Sequence, residues 1–103
     1  MKQIEVMADQ LKLLGDKTRL TIVAMLNERS LCVCDIADLL QTSQPNASQH
    51  LRKLKAAGLV SETRKGQWIY YSLNVEDKPD VQAVLNYLPS VKEKVDQLKN
   101  DCN

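Results

Sequence analysis

Two neighbouring stretches govern the reading of this chain: Leu31-Cys32-Val33-Cys34-Asp35-Ile36-Ala37-Asp38-Leu39-Leu40, and Ser43-Gln44-Pro45-Asn46-Ala47-Ser48-Gln49-His50-Leu51. In the first, Ile36, Leu39 and Leu40 form the apolar side of a short helix over about residues 33–40. Thr42 and Ser43 are both suited to cap the next helix, and Pro45 falls in its first turn, where a missing N–H costs little. That helix runs to Gly58, a residue fitted to the left-handed conformation that ends helices. Two short helices on a tight turn make a helix-turn-helix. At about 100° per residue, Ala47, Leu51 and Leu54 share the core direction. Gln49 and Arg52 point away from it, with Ser48 and Lys53 beside them.

Outward from this pair the pattern stays helical, with one interruption. Ile4, Met7, Leu11 and Leu14 predict an amphipathic helix near residues 3–14, ended by Gly15. Asp16 caps a second helix carrying Leu20, Val23 and Leu26, and Asn27 to Ser30 form a polar break. Beyond Gly58, residues 60–64 and 68–73 read as two strands around Lys65-Gly66-Gln67, a hairpin whose basic tip is a wing. Val81, Val84, Leu85, Leu88, Val91, Val95 and Leu98 predict a last helix over about 79–99, kinked or broken by Pro89. A small winged domain has little core for so long a stripe. The stripe is therefore expected to bury itself, with Ile4, Met7 and Leu11, in a twofold dimer. The fold class is mainly α with a small β-hairpin: a dimeric winged helix-turn-helix, one domain across residues 1–103.

Composition narrows the function. No apolar run approaches a membrane span, and the N-terminus lacks the apolar segment of an export signal, so a cytoplasmic protein is expected. Three cysteines argue against a closed disulfide framework, and clustered thiols in a reducing compartment favour metal or redox roles. A net charge of +1 excludes a polybasic nucleic-acid binder, so affinity for DNA must come from local clusters. Gln44, Ser48 and Gln49 are uncharged polar groups suited to base edges in the major groove of double-stranded operator DNA. Arg52 and Lys53, with Arg64 and Lys65 on the hairpin, suit phosphates. A merely solvated helix face is the plainer alternative, and the tight turn with the basic hairpin favours DNA. His50, the only histidine, is expected to be a structural, hydrogen-bonded group. With that histidine on the reading helix and no nucleophile–base set, an enzyme is not expected.

The stretch from about Leu14 to Leu73 resembles the arsenical-repressor (ArsR/SmtB) family of metal-sensing winged-helix repressors. The matching residues are Gly15 to Leu20, Leu31-Cys32-Val33-Cys34-Asp35, Ser43-Gln44-Pro45 with Ser48, His50-Leu51 and Leu54, Gly58-Leu59-Val60, and Arg64 to Gln67 with Tyr71 and Leu73. The resemblance implies a homodimer built on the first and last helices, needing no cofactor to bind DNA and released from it by metal. The Cys-Val-Cys signature is similar to two branches, one sensing arsenite and antimonite, the other cadmium and lead. The arsenite branch commonly has a third cysteine where this chain has Ala37. The cadmium branch has cysteines in an N-terminal arm, and this chain has none before Cys32. A family zinc site on the last helix uses histidines; here Asp80, Glu93 and Asp96 stand without one. The remaining thiol, Cys102, is a candidate third ligand.

In most winged-helix relatives a serine or threonine at the place of Cys32 caps the third helix, and Asp35 stands where the partner of a capping box would. Cys32 is thus expected at the cap and Cys34 in the first turn. Two residues apart in a regular helix the sulfurs would point about 200° apart. At a helix start, however, the cap residue is non-helical, so convergence on one ion is expected to need only a local distortion, and that distortion is the expected switch. A helix N-terminus favours thiolate, and thiolates select soft ions. Alternatives left open are a cadmium, lead or zinc response, a dithiol redox sensor and, outside DNA binding, a soft-metal buffer.

Overall fold

The computed structural model describes residues 1–98. Cys102 lies outside the described residues. Helix α1 (Lys2–Leu14) buries only its last residue, Leu14. The Asp16 carboxylate then caps α2 (Lys17–Glu28) by accepting the Arg19 N–H at 3.0 Å. Helix α2 is the centre of the molecule. Ile22 to Leu26 are all buried, because α1, α4, β3 and α6 cover it from different sides.

Strand β1 (Leu31–Cys32) leads directly into α3 (Val33–Leu40). Gln41, in the left-handed region at φ 55°, turns the chain after α3, and the Thr42 N–H returns to the Ala37 carbonyl at 3.0 Å. Of the two candidate caps for α4 (Gln44–Ala56), Ser43 fills the position, its Oγ accepting the Asn46 N–H at 3.2 Å. Thr42 supports it by accepting the Asn46 side-chain N–H at 2.9 Å. Gly58, at φ 77°, ends the turn, with the Leu59 N–H bonded back to the Leu54 carbonyl.

Strands β2 (Val60–Lys65) and β3 (Trp68–Leu73) form the expected hairpin, with Gly66 at φ 62° in its turn. The sheet has three strands rather than two. Its order is β1-β3-β2, antiparallel throughout, with Leu31 opposite Tyr71 and Cys32 opposite Tyr70. Two residues are too short to show period-two alternation, so β1 left no pattern in the sequence.

The C-terminal segment divides as Pro89 requires: α5 (Pro79–Tyr87) and α6 (Lys92–Asp96). Its apolar stripe departs from expectation. Val81, Leu85 and Val95 are buried in the chain's own core, with Leu88, Val91 and Leu98 packed against it. The break at Pro89 lets α6 fold back on α2, where the Arg29 guanidinium donates to the Val95 carbonyl at 2.8 Å. The large apolar side chains left exposed are Met1, Ile4, Val6, Met7 and Leu11 at α1, and Tyr87 at the end of α5.

Candidate nucleic-acid interface and thiol site

Helix α4 divides cleanly between core and solvent. Ala47, Leu51 and Leu54 are fully buried, which fixes the rotation of the helix. Gln44, Gln49, Arg52 and Lys53 are exposed on the other side, and Ser48 is half-buried between them. On the hairpin, Arg64 and Lys65 are both exposed, and the Lys65 ammonium lies 5.1 Å from the Tyr70 ring centroid.

Two side-chain networks fix this surface, and neither has a local sequence signature. His50 Nδ1 lies 3.3 Å from Arg19 Nη1 and 3.9 Å from Asp16 Oδ2, while Arg19 Nε donates to the Leu13 carbonyl at 2.7 Å. His50 thus ties α4 to the α1–α2 junction, the structural role expected of it. On the other flank, Lys55 of α4 meets Glu62 Oε1 of β2 at 2.6 Å. The Tyr71 hydroxyl donates to Glu62 Oε2 at 3.0 Å. The Lys55 contact, and then the Tyr71 hydroxyl, hold the Glu62 carboxyl below its ordinary pKa. Burial, and then the Glu62 contact, raise the Tyr71 phenol above its own. These partners are 7 and 9 residues from Glu62 in sequence, brought together only by the packing of α4 on the hairpin.

The cysteine pair stands at the other end of the helix-turn-helix. Cys32 occupies the N-cap of α3 in an extended conformation, with φ −79° and ψ 161°. Because Cys32 is not helical, its side chain escapes the angular separation that would divide the pair in a regular helix. The Sγ atoms of Cys32 and Cys34 lie 2.7 Å apart. The two sulfurs therefore lie close together at the start of α3, as a non-helical cap residue allows. Asp35 joins them: one ligand atom from each of Cys32, Cys34 and Asp35 lies within 4.8 Å of the others.

Cys32 is only 1% exposed, and its thiol pKa departs from the expected direction. Burial raises it, opposed in part by the Asp35 backbone N–H, while the Asp35 carboxylate adds to the rise. The helix N-terminus alone would lower it; desolvation of the charged form is the larger effect here. Two soft sulfurs and a carboxylate oxygen make a donor set fitted to a thiophilic ion, not to magnesium or calcium. Among the described residues there is no membrane-crossing helix.

Comparison with known proteins agrees with this architecture. Residues 16–62 match the family model described as bacterial regulatory protein, arsR family. The transcriptional repressor SdpR of Bacillus subtilis is 40% identical over 78 residues, which is 75% of this chain and 87% of SdpR. The chain belongs to the arsR family. The arsenic resistance transcriptional regulator ArsR1 of Pseudomonas putida is 43% identical over 75 residues, 72% of this chain and 59% of that protein. A cadmium resistance transcriptional regulatory protein CadC homolog of Staphylococcus aureus is 44% identical over 66 residues, 63% of this chain and 54% of that protein. The chain thus spans little more than half the length of these two metal-resistance relatives. Among solved structures, reduced HlyU from Vibrio cholerae superposes with a TM-score of 0.75 at 30% identity, covering 82% of this chain and 86% of that one. A homodimeric winged helix-turn-helix DNA-binding domain from Mycobacterium bovis gives 0.71 at 29% identity, covering 82% and 79%. The fold is a winged helix-turn-helix.

Proposed function

We propose that this protein is a transcriptional repressor that binds operator DNA as a metal-free homodimer and lets go when arsenite or antimonite binds at Cys32 and Cys34. The observation that carries this reading is the meeting of two sulfurs at the start of α3, one turn and one helix ahead of the exposed face of α4. Gln44, Ser48 and Gln49 contact base edges, and Arg52, Lys53, Arg64 and Lys65 contact phosphates. The exposed apolar side of α1, with Tyr87, supplies the dimer contact together with the C-terminal helices. Cys102 is a candidate third sulfur. The homodimeric Mycobacterium bovis domain and the ArsR1 relative support these assignments.

A second reading, a response to cadmium or lead, is favoured by the Asp35 carboxylate beside the sulfurs and by the CadC relative. An oxygen donor suits those ions better than it suits arsenite, which prefers thiolates. One titration separates the two. The protein first selects an inverted repeat from a randomised duplex pool, and the labelled product is then titrated with arsenite, antimonite, cadmium and lead. Arsenite or antimonite should release the DNA at the lowest concentration. Cys32→Ser and Cys34→Ser should each keep DNA binding and lose release, since serine also caps a helix and one sulfur cannot hold the ion. Cys102→Ser should lose the third As–S distance in X-ray absorption only if that thiol is a ligand. Full arsenite release from the Cys32→Ser, Cys34→Ser double variant would defeat the assignment.

A further inference from the structure

On the reading of α4 and the wing as the DNA contact, we infer that Glu62 is a specificity-determining residue of that surface. It holds the Lys55 ammonium away from the phosphates and sets the wing at a fixed angle to α4.

The charge of Glu62 runs against its surroundings. From Gln44 to Leu73, the stretch that holds α4 and the hairpin, the lysines and arginines are Arg52, Lys53, Lys55, Arg64 and Lys65, and Glu62 is the one acidic residue. A carboxylate on a surface that faces phosphates repels them and cancels the pull of one cation. Stability does not account for its presence. The Lys55 and Glu62 side chains are 50% and 35% exposed, and an ion pair so open to water adds little to the fold.

The geometry gives the carboxylate a different task. Gln44, Ser48, Arg52 and Lys55 follow one another at helical spacing, so they form one line along α4. Lys55 ends that line and would be its next phosphate contact, but its Nζ lies 2.6 Å from Glu62 Oε1. The other oxygen is held from the sheet, where the Tyr71 hydroxyl donates to Oε2 at 3.0 Å. Glu62 and Tyr71 are direct partners across β2 and β3, and Tyr71 is buried. One carboxylate is thus gripped on both oxygens, by the reading helix and by a side chain anchored in the core. Arg64 and Lys65 follow on the same strand, so the same grip places the wing tip relative to α4.

Both effects favour choice over affinity. Phosphates are alike on every duplex, so a cation that reaches one adds binding without discrimination. Keeping Lys55 off them leaves base contacts a larger share of the whole. Base contacts in turn need α4 seated in one orientation, and a wing free to pivot would let its cations settle on any backbone.

Fluorescence anisotropy on the selected duplex and on an unrelated one, over a series of potassium chloride concentrations, tests this. Glu62→Ala should bind the unrelated duplex more tightly than the wild type does at low salt. Its slope of log affinity against log salt should steepen by about 1.8 in a dimer, about 0.9 for each freed Lys55. The ratio of selected to unrelated affinity should fall about fivefold or more, the lower end of what one mismatched base pair costs. Glu62→Gln removes the charge and keeps an oxygen for the Tyr71 hydroxyl, so it should steepen the slope equally and lose less of the ratio. Adding Lys55→Ala to Glu62→Ala should restore the slope and not the ratio. A residue that only stabilised the hairpin would leave the slope unchanged in every variant, and that result would overturn the inference. A steeper slope with an unchanged ratio in Glu62→Ala would overturn it too. Should Glu62→Ala fail to fold, the near-isosteric Glu62→Gln still reads the slope. Wild-type protein that selects no sequence from the pool would remove the DNA reading itself, a failure distinct from either result in the variants.

Discussion

Replacing Lys65 by alanine tests whether the hairpin tip lies on the DNA backbone. Each neutralised phosphate contributes about 0.9 to the slope of log affinity against log salt, through released counterions. Arg52, Lys53, Arg64 and Lys65 are exposed cations on the proposed surface. Lys55 is left out because its ammonium is already paired with Glu62 at 2.6 Å. A dimer then offers about eight contacts, for a slope of about −7. Lys65→Ala removes one from each protomer and should reduce the slope to about −5.4. Between 50 and 200 mM salt the wild type should lose about 4.3 decades of affinity and the variant about 3.2. Fluorescence anisotropy on selected and unrelated duplexes at several potassium chloride concentrations reads both slopes. The change should be the same on both duplexes, since phosphates carry no sequence information. Gln49→Ala should do the opposite, weakening the selected duplex and leaving the unrelated one and the slope nearly unchanged. An unaltered slope in Lys65→Ala would refute the placement of the wing. Indistinguishable effects of the two substitutions on specificity would refute the division of roles.

Three further outcomes follow from the packing. Leu51→Ala, at a fully buried position that orients α4, should lower stability by about 2–5 kcal/mol, read as a reduced urea midpoint at unchanged m-value. The Asp16 carboxyl is held below its ordinary value, chiefly by the Arg19 N–H it caps. Its contribution is therefore present above the unfolded pKa near 3.8 and is lost as pH falls towards the folded one, so Asp16→Asn, which still caps, should flatten the acid limb of a thermal-melt series against pH. Leu11→Asp, on the exposed apolar side of α1, should turn a sedimenting dimer into a monomer without loss of helical circular dichroism; an unchanged dimer would place the contact elsewhere.

The elements legible in the sequence are those whose signal is local. Ser43, Pro45 and Gly58 mark the ends of α4 because caps and left-handed turns act on adjacent residues, and Pro89 marks the end of α5 for the same reason. The exposed polar face of α4 follows from helical periodicity alone. What escaped was set by long-range packing. The pairing of β1 joins residues forty apart, and the link from Lys55 through Glu62 to Tyr71 exists only once α4 rests on the hairpin. The nearness of Cys32 and Cys34, by contrast, was legible for the same local reason as the helix ends, because Cys32 was expected at the non-helical cap and the structure has it there, extended. The C-terminal stripe shows the converse error. Helical spacing identifies an apolar face but not its occupant, and here Val81, Leu85 and Val95 are covered by the chain itself.

The brevity of β1 has a consequence for the order in which the molecule assembles. Leu31 and Cys32 find their strand partners about forty residues further on, in a hairpin that must close first. The segment bearing the sulfurs is therefore among the last to be fixed. Until β3 arrives, Cys32 lacks the strand partner it has in the fold; once β3 docks, Cys32 is only 1% exposed. A thiophilic ion thus has two opportunities to bind, one during synthesis without resistance from the sheet and one afterwards against it. Soft ions present while the chain is being made should divert its folding at concentrations below those that dislodge the finished protein from DNA.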